Sequence, residues 1–152
     1  MMRRSTLNYW LLALAVFVID RITKLWAVTY CADRMVVNQY CSFELMFNRG
    51  VSCGLLHSSD ERQFILVTLV VVSLIALLVW YTYDRLLFRT FILGETLVLA
   101  GAVSNLVDRI FYKGVVDFIA LSAWGYDFHV FNVADVCIVL GVAIMLVEGF
   151  RE

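Results

Sequence analysis

Residues 63–83 read QFILVTLVVVSLIALLVWYTY, with no charged side chain anywhere between Phe64 and Tyr83. At a helical rise of 1.5 Å per residue this stretch reaches about 30 Å, the thickness of the hydrocarbon core of a bilayer. It predicts a transmembrane helix, and the composition of the whole chain agrees. Hydrophobic residues make up 62% of the 152 and charged residues 16%, and mean hydropathy is +0.86; a soluble domain runs at roughly 45–50% and about 25%. A net charge of −1 leaves no basic surface for nucleic acid. Proline is absent, so turns fall to glycine and asparagine.

On the N-terminal side of this helix, residues 31–62 are mixed, with short alternating runs such as Ser42-Phe43-Glu44-Leu45. That pattern predicts a small extramembranous unit containing β-strands. Before it, Leu7 to Ile19 is apolar but rises only about 20 Å. The first span therefore runs on, over about residues 8–29, with Asp20, Arg21 and Lys24 near its far end. Arg3 and Arg4 ahead of an apolar run imitate a secretory signal, yet no small-x-small cleavage site follows. Tyr30 is also too bulky to precede a lipoprotein-type cleavage at Cys31.

On the C-terminal side, Asp84, Arg85 and Arg89 form a short polar connection to a third span, about 91–110, which carries Gly94, Glu95, Gly101, Ala102 and Ser104. Small residues of this kind let helix backbones approach closely in lipid. Residues 111–130 read as an amphipathic loop or strand, a short interfacial segment with Tyr112, Trp124 and Tyr126 suited to the headgroup belt. A fourth span covers about 131–150. The fold class is thus membrane α-helical: one domain over 1–152 with four transmembrane helices and external segments at about 30–62 and 111–130. Arg3 and Arg4, then Arg85 and Arg89 in a very short loop, put both termini and that loop on the cytoplasmic side.

Cys31, Cys41, Cys53 and Cys137 contain no C-x-x-C pair, and His57 and His129 are the two histidines. No zinc spacing is visible. The cysteines read as small hydrophobes or free thiols, with a bridge among Cys31, Cys41 and Cys53 open on an oxidising side.

The chemistry concentrates in residues 101–135, where Asp108, Asp117 and Asp135 stand beside Asn105, Asn132 and Arg109. Asn105-Leu-Val-Asp108 and Asn132-Val-Ala-Asp135 repeat one frame, an amide one helical turn before an acid. By spacing alone that frame pairs Asp108 with Asp135. Two carboxylates close together in a poorly hydrated pocket share one proton, which equips one as general base and the other as general acid. Asn105, Asn132 and Arg109 would hold the acids or stabilise an oxyanion. Two other readings stay open: a proton- or ion-coupled transporter using the same acids, and a structural role at helix ends. Asp20 and Lys24, at i and i+4 with the acid first, are either an interfacial snorkelling pair or support for the polar site from below.

Five stretches in order, Asp20-Arg-Ile-Thr-Lys24, Asn48-Arg-Gly50, Gly101-Ala-Val-Ser-Asn-Leu-Val-Asp-Arg109, Gly114-Val-Val-Asp-Phe118 and Phe131-Asn-Val-Ala-Asp135, resemble the lipoprotein signal peptidases, or signal peptidase II, of bacterial inner membranes. The resemblance is colinear over essentially the whole chain. It implies a four-helix membrane aspartic endopeptidase with a small periplasmic β-rich cradle and no metal or cofactor. Such an enzyme is a monomer among membrane lipids, its active site near the periplasmic face and its termini cytoplasmic. It removes the signal peptide from diacylglyceryl-modified prolipoproteins just before the lipidated cysteine, and cyclic peptides inhibit it. By position the resemblance makes Asp117 and Asp135 the catalytic pair. Asn105, Asp108, Arg109 and Asn132 become a supporting polar shell, Asn48 and Gly50 belong to the cradle facing the substrate, and Asp20 and Lys24 to a first-helix motif. Asp108 thereby leaves the pair that spacing suggests. The chain departs from the pattern at Val51-Ser52-Cys53, where Ala-Ala-Phe is usual, at Ser104, usually Gly, and at Val136, usually Ser.

Overall fold

The computed structural model describes residues 2–50, 60–88, 90–123 and 126–150. Val51-Ser52-Cys53, His57, Arg89 and Trp124 lie outside the described residues, as do the side chains of Arg3 and Arg4. In chain order the elements are α1 (Met2–Tyr30), β1 (Met35–Asn38), β2 (Cys41–Asn48), α2 (Glu61–Leu87), α3 (Leu93–Tyr112), β3 (Val115–Ala123), β4 (Tyr126–Asp127) and α4 (Val133–Gly149). Among the described residues, four helices carry one small antiparallel sheet, in strand order β1-β2-β3-β4.

Helix α2 begins at Asp60, whose side chain accepts from the Arg62 backbone N–H. It is 27 residues long and buries only Phe64, Val67 and Thr82. Leu66, Leu69, Leu77 and Trp80 face outward, a surface that water does not tolerate at this density and lipid does. Among the described residues α2 is the one helix long and apolar enough to cross a membrane on those grounds alone. The other three fall short for identifiable reasons. Helix α1 carries Asp20, Arg21 and Lys24, α3 carries Glu95, Asp108 and Arg109, and α4 has 17 residues, a rise of about 26 Å.

Helix α3 is central and packs on α1, α2 and α4. Its contact with α4 is made through glycines seven residues apart. A Cβ on Gly94 would stand 2.8 Å from the Gly141 carbonyl oxygen, one on Gly101 2.6 Å from that of Ala134, and one on Gly141 2.6 Å from that of Gly94. The backbones touch where side chains would normally keep helices apart.

Helix α3 ends at Lys113, which adopts the left-handed conformation (φ 53°) that terminates helices. The chain then enters β3, pairing Asp117 with Met46 and Val115 with Asn48. Of the two readings of 111–130, loop or strand, the strand is found, over Val115–Ala123 and Tyr126–Asp127. Val115, Val116, Asp117 and Phe118 are all buried, and β3 lies inside the sheet between β2 and β4. The sheet rests on the end of α1, where Trp26 meets Phe43 edge-on at 5.3 Å and Phe118 at 6.3 Å around buried Ala27 and Cys31. Cys31, Cys41 and Cys137 are free thiols.

Candidate active site

Two acids from different elements meet in one cavity of about 220 Å³, Asp117 from β3 and Asp135 from the first turn of α4. Three asparagines hold them, and each is oriented by its own second bond. Asn132 caps α4, and its Oδ1 accepts from the Asp135 backbone N–H at 2.9 Å, so its Nδ2 donates to Asp117 Oδ1 at 2.6 Å. The Oδ1 of Asn48 accepts from the Gly50 N–H at 2.9 Å, and its Nδ2 donates to Asp117 Oδ2 at 3.1 Å. Asn105 Oδ1 accepts from Lys24 Nζ at 2.6 Å, and its Nδ2 donates to Asp135 Oδ1 at 2.9 Å. The Asn132 backbone N–H reaches Asp135 Oδ2 at 3.3 Å. An amide that accepts at one end presents a donor at the other, so every carboxylate oxygen of the pair has a donor.

Asp108 goes elsewhere. It is fully buried, ion-paired with Arg21 at 2.7 Å and Lys24 at 2.8 Å, and it accepts from the Val116 backbone N–H at 3.2 Å. The pairing of Asp108 with Asp135 suggested by spacing is therefore wrong in space: the two Asn-x-x-Asp frames sit on different helices, and the frame carries no information about which acid faces the cavity. Asp20 and Lys24 are 0% and 2% exposed and bonded to each other at 2.8 Å. That burial rules out snorkelling to the interface.

A family model described as signal peptidase (SPase) II matches residues 12–151 of the chain. The chain belongs to the signal peptidase II family. It is 39% identical to a lipoprotein signal peptidase of Methylobacterium sp. (strain 4-46) over 90% of this chain and 84% of that protein. It is 34% identical to the lipoprotein signal peptidase of Anoxybacillus flavithermus over 100% and 90%. Among solved structures it is similar to one described as a bacterial membrane enzyme, with a TM-score of 0.78 and 28% identity over 95% of this chain and 88% of that one. A second structure of the same description gives 0.75 and 26% over 95% and 94%. As a signal peptidase II family member the chain is a protease.

The remaining polar residues of this signal peptidase fold are placed by the same cavity. Arg109 lines it but points its guanidinium at backbone, donating to the Gly50 carbonyl and, at 3.5 Å, to that of Arg49. Its charge lies over the Phe64 ring at 5.7 Å, beside that of Arg49 at 5.1 Å. Arg109 thus fastens the Asn48-Arg49-Gly50 turn to α3 and α2, whereas the sequence offers it for holding the acids or stabilising an oxyanion. Away from the acids the cavity is apolar, walled by Val71, Leu74, Ile75 and Leu78 of α2, Val98 and Ala102 of α3 and Ile138 of α4. Burial pushes the Asp117 carboxyl up to about 7, with the Asp135 charge adding to the effect and the bonds from Asn48 and Asn132 opposing it. Among the described residues no group of three His, Cys, Asp or Glu side chains is gathered as a metal would require. Sequence reasoning missed two members of the network: Arg21, bound to Asp108, and Ser104, whose hydroxyl donates to Asp20 Oδ2 at 2.7 Å. Ser104 had a signal, since it stands where the family resemblance leads one to expect glycine.

Proposed function

We propose that Asp117 and Asp135 are the catalytic dyad with which this signal peptidase II family member removes signal peptides from prolipoproteins, making it an aspartic endopeptidase. The observation that carries this reading is the convergence of two buried carboxylates on one cavity with both oxygens of each held by oriented donors. Such a pair holds one proton between two acids. Asp117, pushed up to about 7, carries it, while Asp135 in the first turn of α4 has its negative charge favoured by the helix N-terminus.

Water attacks the scissile carbonyl carbon as Asp135 takes its proton, and Asp117 protonates the carbonyl oxygen. When the tetrahedral intermediate collapses, the C–N bond breaks and the amine leaves with the proton held by Asp135. The proton on the former carbonyl oxygen returns to Asp117, so the dyad regains its single proton. The apolar walls from α2, α3 and α4 suit the hydrophobic segment of a signal peptide. The four helices span the membrane with both termini cytoplasmic, the sheet forms a periplasmic cradle, and the substrate enters laterally from the bilayer. Its diacylglyceryl group stays in lipid, and the cut falls just before the lipidated cysteine. Cyclic peptide inhibitors would occupy the same cavity. The transporter alternative has no support, because the acids converge at one end of one cavity and the relatives are peptidases.

Asp117→Asn and Asp135→Asn each preserve shape and remove an acid. Each lowers cleavage of a lipidated prolipoprotein, read by gel shift, by on the order of 10⁴-fold in protein that remains folded. Wild-type activity falls as pH rises through about 7, where Asp117 loses its proton. Retained processing in either variant refutes the dyad.

A further inference from the structure

Beneath the cavity lies a quartet of charges that the reaction itself does not use: Asp20 and Lys24 of α1 and Asp108 of α3, all buried, and the partly exposed Arg21 of α1. It has two positive and two negative members, so the buried acids are matched by cations, as buried charges must be. Its connections are specific. Asp20 Oδ1 accepts from the backbone N–H of Ala134 at 2.8 Å, the residue immediately before Asp135. Asp108 Oδ2 accepts from the backbone N–H of Val116 at 3.2 Å, the residue immediately before Asp117. Lys24 Nζ stands between the two anchors, 2.8 Å from Asp20 Oδ2 and 2.8 Å from Asp108 Oδ2. Its third contact, at 2.6 Å, is Asn105 Oδ1, which turns the Asn105 amide nitrogen toward Asp135. One ammonium with three donors therefore links the grip on the β3 acid, the grip on the α4 acid and the amide that touches the latter.

We propose that Lys24 is a positioning residue for peptide hydrolysis: through Asp20, Asp108 and Asn105 it sets the separation and facing of the two dyad carboxylates without touching substrate. This rests on the reading of Asp117 and Asp135 as the dyad. Acid and base must be held to a fraction of an ångström, and a misplacement of about 1 Å costs on the order of 10²-fold in rate. At the top, β3 and the start of α4 are tied by backbone bonds between Phe118, Ile119 and Phe131 and by the Asn132 amide on Asp117; the quartet supplies a second link from below, through the residue before each acid. Ser104 reinforces it by donating to the same oxygen of Asp20 that Lys24 binds.

The test uses full-length protein in detergent micelles and a fluorescent diacylglyceryl-cysteine peptide that spans the cleavage site. Lys24→Met removes the cation and all three donors. The expected result is a fall in kcat of roughly 10²-fold with KM within about twofold, because the cavity walls are untouched. Asp117 is faced by Asp135 from α4, Arg109 from α3, Lys24 from α1, Asn48 from β2 and Asn132 at the α4 cap. Losing the Lys24 charge therefore moves the alkaline limb of the pH–rate profile upward. Lys24→Arg, which keeps the charge, restores part of kcat and the wild-type limb. Lys24→Met leaves two buried acids against one cation, so a second variant, Lys24→Met with Asp20→Asn, restores neutrality and keeps an acceptor for the Ala134 N–H. It melts near wild type and is still slow. Wild-type kcat and pH profile in folded Lys24→Met overturn the proposal. So does activity that falls only in proportion to the folded fraction. Cleavage surviving Asp117→Asn or Asp135→Asn overturns the dyad itself, whatever Lys24 does.

Discussion

At the scale of single residues, the site separates three aspartates of similar sequence surroundings by what they face. Asp108 is met by two cations and a backbone N–H, which stabilise its charge. Asp117 is met by two neutral amides and the negative Asp135, which do not offset its burial. The consequence for stability has a definite sign. Asp117 titrates at about 7 in the folded protein and near 3.9 when unfolded. Between those values the native state binds the extra proton, so stability falls as pH rises. The contribution is fully present below about pH 4 and lost as pH passes through about 7. Thermal melts of the detergent-solubilised protein should show the melting temperature declining over this window. In Asp117→Asn, which has nothing to titrate there, that slope should flatten by the share due to this residue; an unchanged slope would mean that Asp117 ionises as freely when folded as when unfolded.

At the scale of elements, the α3–α4 seam fixes where Asn105 and Asp135 meet. Gly101 lies one turn before Asn105 and touches the carbonyl of Ala134, the residue preceding Asp135, so any side chain there drives the acid and its amide apart. Gly101→Ala should destabilise the protein by about 1–3 kcal/mol, the usual cost of overpacking a close contact, and lower kcat about tenfold or more. Gly149→Ala, whose Cβ would meet nothing within 4 Å, should change neither beyond about 0.5 kcal/mol. Equal effects at the two glycines would dismiss the seam as a determinant. The helices were legible because an apolar run of helical length is a strong signal, and α2 extends the expected 63–83 only to Glu61–Leu87. Strand β3 was not. Val115-Val-Asp-Phe118 is buried on both faces, which erases the alternation that marks a half-exposed strand. The pattern therefore left loop and strand open around the acid at its centre. Likewise the Asn-x-x-Asp repeat is a local pattern, whereas the partner of each acid is chosen by tertiary contacts up to 114 residues apart in sequence, as from Asp20 to Ala134.

At the scale of the molecule, charge is gathered at two levels with an apolar belt between them. One level is the Asp117–Asp135 pair and the quartet beneath it, beside the sheet. The other joins three helix ends, where Arg85 reaches Glu95 at 3.0 Å, Glu148 at 3.3 Å and the Phe91 carbonyl at 3.0 Å. Helix α2 connects the two levels, and its 27 residues measure about 40 Å, longer than the hydrocarbon core it would cross. If the four helices are spans, Tyr126 on the sheet and Phe88 at the end of α2, both more than 70% exposed, lie on opposite sides of the membrane. Single cysteines at these positions test that in a background with Cys31, Cys41, Cys53 and Cys137 replaced by serine. A membrane-impermeant maleimide applied to intact spheroplasts should label Tyr126→Cys, and should reach Phe88→Cys only after permeabilisation. Labelling of both from outside would mean that α2 does not cross the bilayer. The reverse pattern would put Asp117 and Asp135 on the cytoplasmic side and overturn the proposed orientation.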